Sequence, residues 1–397
     1  MTTLRLSILS VVTALSIVAL LGLSHSEASQ QTFITREVIA FASTREGNLD
    51  IYLMNPDGTD QRRLTANTGG ANGIPSLSPD GKKAVFDSNR IGITEPPPTP
   101  RCAQCSNTNV SDLFVMNMDD YDPVLQQIPV DKQLHLTRGS SATWSPDARY
   151  IAFHASASGT MGPIKPDPGA ATYDSDIFVM SVDDCLKLIQ LTNQDPTKGD
   201  CRKTTAADCN MIADSVKRAQ CTKILPEFLK NITNNPSAVD DDPDWSPDGT
   251  KTAFTSHSVN DNHNNSVTAE IYLINADGTG QAARLTNNMQ EERAPDWSKK
   301  DGSRIVFACR QGSNATFEIC VMNADGTGQV RLTFNTVPDL TSSWSLDDQK
   351  IAFGRQVAAG QQQIFVMNAD STGLTQLTTS AGTNLFPNWG VVRVPAP

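Results

Sequence analysis

From residue 38 onward the chain alternates short apolar runs with polar turns, and one order of runs recurs six times. Each unit opens on a run that ends in Phe: Val38 to Phe41, Ala84 to Phe86, Ile151 to Phe153, Thr252 to Phe254, Ile305 to Phe307 and Ile351 to Phe353. A second run centres on Ile51-Tyr52, Leu113-Phe114, Ile177-Phe178, Ile271-Tyr272, Ile319-Cys320 and Ile364-Phe365. An acidic residue precedes it each time, except in the last unit, where Gln363 stands there. A third run ends in Leu-Thr at 64–65, 136–137, 191–192, 285–286, 332–333 and 377–378. Runs this short, bounded by turn residues, predict β-strands rather than helices.

A fourth element is a Trp followed by a turn, at Trp144, Trp245, Trp297, Trp344 and Trp389, with Leu77 in the sixth place. All five Trp of the chain fall at this one position, as expected of large rings that pack one unit on the next. Ser-Pro-Asp-Gly after the Trp sets φ at Pro, lets Asp bond its own backbone and supplies Gly where φ is positive. Asn-Ala-Asp-Gly-Thr-Gly at 275–280 and 323–328 closes the next hairpin in the same way. These strings lack the spaced carboxylates and distal Glu of a calcium loop. Four strands per unit at a spacing near 50 residues predict an all-β fold, a six-bladed β-propeller of four-stranded antiparallel blades. The chain starts in a Phe strand and stops after a lone Trp strand, so the C-terminal strand is expected to complete the first blade.

The Trp-Ser-Pro-Asp-Gly, Ile-Ala-Phe, Ile-Tyr-Leu-Met-Asn and Leu-Thr elements resemble the WD-like repeat of the TolB-like β-propeller family over about residues 38–390. The resemblance implies the propeller fold and a periplasmic role in binding an envelope component. Only about ten residues separate Ala28 from the first blade strand, which implies a stand-alone propeller without the N-terminal domain of TolB.

Composition narrows the function. The net charge is −11 and no Lys/Arg cluster interrupts it, which excludes phosphate neutralisation and hence nucleic-acid binding. Residues 1–28 read as a signal peptide: Arg5, the apolar Leu6 to Leu23, and Ser26-Glu27-Ala28 as the cleavage site. The alternative is an uncleaved anchor, since eighteen apolar residues can span a bilayer. Either way a periplasmic or secreted bacterial location is expected, with no integral membrane domain after cleavage. All eight Cys follow this segment, so disulfides are expected. Cys309 is expected to pair with Cys320 across one hairpin and Cys102 with Cys105, whose spacing is also that of a redox or zinc half-site though no second such pair supplies four metal ligands, while the partners within Cys185, Cys201, Cys209 and Cys221 stay open.

Insertions lengthen four connections, 91–111, 154–175, 193–240 and 257–268. All four are expected on one face, where binding is usually built. The longest carries Ile212, Val216 and Ala219 at helical spacing, then Ile224, Leu225, Phe228 and Leu229, read as two short helices packed over blades 3 and 4. One residue before each Trp, Ser76, Thr143, Asp244, Asp296, Ser343 and Asn388 place a polar ring near the channel. Asp242, Asp244 and Asp296 are the carboxylates that would hold a calcium or other divalent cation there; no other cofactor is implied. Catalysis finds little support: there is no Gly-x-Ser-x-Gly elbow, and the His residues are scattered. The expected function is a monomeric, non-catalytic scaffold for a protein or cell-envelope partner. The alternative is a metal-dependent lyase or hydrolase acting on a glycan or peptide at the propeller mouth.

Overall fold

The computed structural model describes residues 32–66, 70–90, 111–155, 175–196, 200–235, 238–258, 269–288, 290–311 and 315–395. One compact unit spans Thr35–Arg393, and a small second unit comprises the chain's two ends. The signal segment, Cys102, Cys105, Asp261 and His263 lie outside the described residues. Among the described residues no helix is long and apolar enough to cross a membrane.

Six sheets of four antiparallel strands make the six-bladed propeller. In blade 4 the strands run outward as Ala238–Trp245, Lys251–Ser258, Ala269–Asn275 and Ala283–Arg284. In blade 1 the innermost place is taken by Asn384–Pro395, beside Phe33–Glu46. The two ends of the chain thereby close the ring and remove its open edges. Outermost strands of two residues, as at Arg62–Arg63, Ala283–Arg284, Val330–Arg331 and Thr375–Gln376, leave little edge to pair with another chain.

The recurring residues each have a mechanical task. The terminal Phe of the second strand is fully buried in every blade, from Phe41 to Phe353. The five Trp are 0–7% exposed; Trp297, for instance, packs in one cluster with Ile271 of blade 4 and Ile305, Phe307 and Met322 of blade 5. In the turn after Trp144, Ser145 Oγ donates to Asp147 Oδ1 at 2.6 Å, which also accepts from Arg149 N at 3.1 Å. Gly302 shows why the turn ends on Gly: its φ is +63°, and a Cβ there would lie 2.8 Å from Pro247 Cγ of the preceding blade.

Blade 3 departs from the expected register. The Leu191-Thr192 pair is not a strand end: it closes helix α1, Val182–Leu191. Ser181 caps this helix by accepting from Asp184 N, and Val182, Cys185, Leu188 and Ile189 form its buried face. Two further helices follow, α2 (Ala206–Asn210) and α3 (Ser215–Ile224). Only then does the outer strand arrive, Leu229–Asn231. Ile232-Thr233 takes the place of Leu-Thr: Ile232 N donates to Ile177 O at 2.8 Å and Ile177 N to Thr233 Oγ1 at 3.0 Å. The same pair of bonds joins Ile51 to Leu64 and Thr65 in blade 1.

The large insertion therefore runs from residue 182 to 228, between the third and outer strands, and not over 193–240. That connection lies on the face of the Trp turns, opposite the other three insertions, because connections in an antiparallel blade alternate between faces. Its helices pack over blades 2 and 3 rather than 3 and 4: Cys185, Leu188 and Ile189 share a core cluster with Val85, Leu136, Phe153 and Phe178. Disulfides Cys185–Cys201 and Cys209–Cys221 close the helical segment, and Cys309–Cys320 joins two strands of blade 5 at a Cα separation of 5.9 Å. Ile212, Ile224, Leu225 and Leu229 pack against the core, whereas Val216 is 66% exposed.

Candidate functional site

Each innermost strand carries the same irregularity. Ile74, Ser141, Asp242, Ala294, Thr341 and Phe386 stand three residues before Leu77 or the Trp, and all have φ between +43° and +54°. The register of the inner strand slips at this point, for example between Asp241 and Asp244. A bulge of this kind re-aims the side chains beside it, here at the end of the channel that bears the loops. Pro75, Pro243, Pro295 and Pro387 directly follow four of the six positions. Pro inside a strand is the signal that could have located the bulge.

Below the bulge, the polar ring is spent on joining blades. Asp244 Oδ2 accepts from Trp297 N at 2.7 Å, Asp296 Oδ1 from Trp344 N at 2.8 Å, Ser343 Oγ from Trp389 N at 3.1 Å and Asn388 Oδ1 from Leu77 N at 3.0 Å. In these four blades the residue before the Trp thus holds the backbone of the next blade's Trp position. Asp244 and Asp296 also flank one cation, Lys299 Nζ, at 3.0 and 3.1 Å. Burial works against the Lys299 charge, but these two carboxylates outweigh it and raise the ammonium above its usual range. Burial pushes Asp296 up to about 7, partly offset by Lys299. Asp242 is directed elsewhere, accepting from Ser141 Oγ at 2.8 Å. The structure thus gathers Asp244 and Asp296 but not Asp242, and places a lysine between the pair. Lys299→Met is expected to cost about 3–5 kcal/mol in urea unfolding by leaving two buried carboxylates uncompensated. An unchanged midpoint would show that the pair does not depend on Lys299.

The acidic residue before each second run is likewise committed. Glu270 accepts from Arg284 Nη2 and Thr286 Oγ1, both at 2.6 Å, and Glu318 from Arg331 Nη2 and Thr333 Oγ1, both at 2.6 Å. These charged bonds pin the short outer strand to its blade.

The loop-bearing mouth is different. On blades 2 to 4 it gathers Asp87, Ser140, Ser141, His154, Asp241, Asp242 and His257. Asp87 Oδ2 accepts from Ser140 Oγ and lies 3.4 Å from Ser141 N. Ser141 leads on to Asp242, and Asp241 Oδ2 meets His257 Nε2 at 3.4 Å. Ser140 is the cross-strand partner of His154. Three buried atoms here, Asp87 Oδ1, His154 Nδ1 and Asp241 Oδ1, have no hydrogen-bond partner among the described residues. Burial pushes Asp87 up to about 8, opposed by its bonds to Ser140 and Ser141. Burial and the neighbouring Asp241 raise Asp242. Burial would raise Asp241 as well, but His257, with His154 and Arg293 beside it, holds it below the usual carboxylate range. Arg293 and Arg310 both pair with Glu291 at the next blade. Apart from Asp242, and His257, which the sequence offers with His263 and Asp261 as candidate metal ligands of one loop, no residue of this mouth is singled out from the sequence, because the cluster is assembled from five strands of three blades.

On the opposite face a cleft of about 430 Å³ opens between blades 3 and 4, lined by Tyr150, Val179, Phe228, Lys230, Trp245 and Asp277 among others. It marks where the helical segment re-enters blade 3.

Residues 242–392 match the family model of the TolB beta propeller domain. That part of the chain is similar to a TolB β-propeller domain. A stretch of 54 residues is 46% identical to the protein TolB homolog of Chlorobium luteolum; it spans 14% of this chain and 12% of that protein. Among solved structures, TolB from Acinetobacter baumannii superposes with a TM-score of 0.58 at 14% identity, covering 89% of this chain and 66% of that one. A protein from Agrobacterium tumefaciens described as a TolB gives 0.52 at 16% identity, covering 92% and 99%. Hydrazine synthase of Kuenenia stuttgartiensis gives 0.59 at 14% identity, covering 91% and 47%. At such identities the likeness is one of fold, and a TolB-like propeller takes its activity from its site.

Proposed function

We propose that the chain is an exported, non-catalytic scaffold that binds a protein or cell-envelope partner through its loop-bearing face and channel mouth. The observation that carries this reading is the chemistry of that mouth: on blades 2 to 4, buried acceptors have no partner among the described residues, whereas Asp244, Asp296, Ser343 and Asn388 at the other end hold neighbouring blades together. An unpaired buried polar group costs about 1–3 kcal/mol, so a ligand that satisfies it gains affinity. The three insertions that leave this face depart from the same three blades. Their strand ends are register partners, Ser88 with Asp112, Ala155 with Asp176 and His257 with Ala269. Loops on a rigid scaffold are where recognition is built. Export is supported by the apolar segment ending near Ala28 and by three disulfides.

The test exchanges 91–110, 156–174 and 259–268 for short Gly/Ser links. Capture of a partner from envelope extract should be lost while urea unfolding stays cooperative, and a panel of glycans and peptides should show no turnover with either protein. Retained capture, or metal-stimulated turnover by the unaltered chain, overturns the proposal. The segment 197–237 is no equivalent target, since it contains the outer strand of blade 3 and Ile232-Thr233.

A further inference from the structure

The unpartnered atoms at the mouth specify a ligand chemistry. Asp87 Oδ1, His154 Nδ1 and Asp241 Oδ1 come from three neighbouring blades; Asp87 bonds Ser140 and Ser141, Ser141 bonds Asp242, the chain neighbour of Asp241, and His154 acts electrostatically on both Asp241 and Asp242. Asp87 is 5% exposed, so open solvent does not supply what its second oxygen lacks. Asp241 Oδ1 is an acceptor, Asp87 Oδ1 becomes one when its carboxyl is ionised, and His154 Nδ1 accepts in one of its two tautomers. A ligand that completes this set must bring several N–H or O–H donors.

Charge selects among such ligands. Three carboxylates, Asp87, Asp241 and Asp242, crowd the pocket, with Asp240 buried behind them. Arg293, which acts on both Asp241 and Asp242, is shared with Glu291, which Arg310 also engages, and among the described residues His154 and His257 also act on the cluster. Among the described residues no group of three or more His, Cys, Asp or Glu is arranged to hold a metal ion. We propose that the mouth seats a cationic nitrogen group, a protonated amine or a guanidinium, against Asp87, Asp241 and His154. An ammonium carries three donors and a guanidinium five in a fixed fork, and either brings the positive charge that Asp87 and Asp242 lack. The proposal rests on the reading of this mouth as the binding end and names the chemistry that it recognises.

A proton signature follows. Asp87 and Asp242 are raised; a cation lowers both and releases protons, so it binds more tightly as pH rises, whereas a neutral polyol does neither.

The experiment titrates the purified full chain with n-butylammonium chloride, ethylguanidinium chloride, n-butanol, xylitol and calcium chloride while following the imidazole NMR signals of His154 and His257. Saturable shifts with one or both nitrogen cations are expected, with affinity tightening about tenfold from about pH 6 to about pH 8 and with proton release. Asp241→Asn should weaken the response at least about tenfold. Should that variant lose its cooperative thermal transition, Asp87→Asn serves in its place. Equal response to n-butanol or xylitol, calcium binding with the nitrogen cations inert, or no saturable shift overturns the proposal. If the cations are inert while partner capture still depends on the three loops, the cation chemistry falls and the scaffold reading stands. If capture also ignores the loops, both fall.

Discussion

Raising the pH from about 5 to about 8 is expected to lower the unfolding free energy by at least about 4 kcal/mol, the share of Asp87 alone. The cause is a set of carboxyls that folding takes out of water. Burial pushes Asp87 up to about 8 and Asp240 up to about 7, and it also raises Glu292 and Asp296. In each case the folded value lies above that of the unfolded chain. The stabilisation is complete below the unfolded value near pH 4 and is lost as pH rises through the folded one, at about 1.4 kcal/mol per unit for each group. The turn aspartates, such as Asp248 and Asp325, are shifted the other way by Thr and Ser hydroxyls and backbone N–H groups. Their contribution is already complete at pH 5 and does not mask the trend. Urea midpoints measured across this range should fall steadily. Asp87→Asn keeps an acceptor for Ser140 and removes the titration, so its slope should be shallower by about 1.4 kcal/mol per unit. A flat pH profile, or an unaltered slope in the variant, would contradict the burial argument.

Trp297→Ala should destabilise the fold by about 3–5 kcal/mol, the cost of emptying a packed site of that size. The ring is 4% exposed between blades 4 and 5, and its Nε1 donates to Gly302 O at 2.8 Å within its own turn. Both the ring and its polar edge are therefore occupied by the protein. Trp297→Phe should recover a good part of the loss by refilling the cavity. Chemical denaturation and partner capture should be measured on the same preparations. Unchanged stability accompanied by lost capture would assign the ring to a ligand rather than to the seam between blades.

The blade was legible because local chemistry and packing agree within each unit. The Trp position, the Ser-Pro-Asp-Gly turn and the run ending in Phe act within a few residues of one another, and six copies average out the noise of any one. Blade 3 shows the limit of such reading. Leu191-Thr192 carries the motif that ends a strand elsewhere, yet it lies on α1, because Ser181 caps a helix whose apolar face finds a hydrophobic cluster. The genuine strand end, Ile232-Thr233, lies forty residues further on and differs by one methyl position. The candidate cation ligands were misgrouped for a related reason. Asp242 and Asp244 are two residues apart, but the bulge at Asp242 turns them to different partners, Ser141 for one and Trp297 N with Lys299 for the other.

By itself, then, the sequence determined the repeat: six blades, their turns, their buried rings and the closure of the ring by the last strand. All of these follow from spacing within fifty residues. Only the tertiary structure decided the mouth. Asp87, Ser140, His154, Asp241 and His257 come from blades 2, 3 and 4 and belong to no shared motif. What brings them together is the ring of blades, and what leaves Asp87, His154 and Asp241 each with an unpaired atom is burial among neighbours far away in the chain.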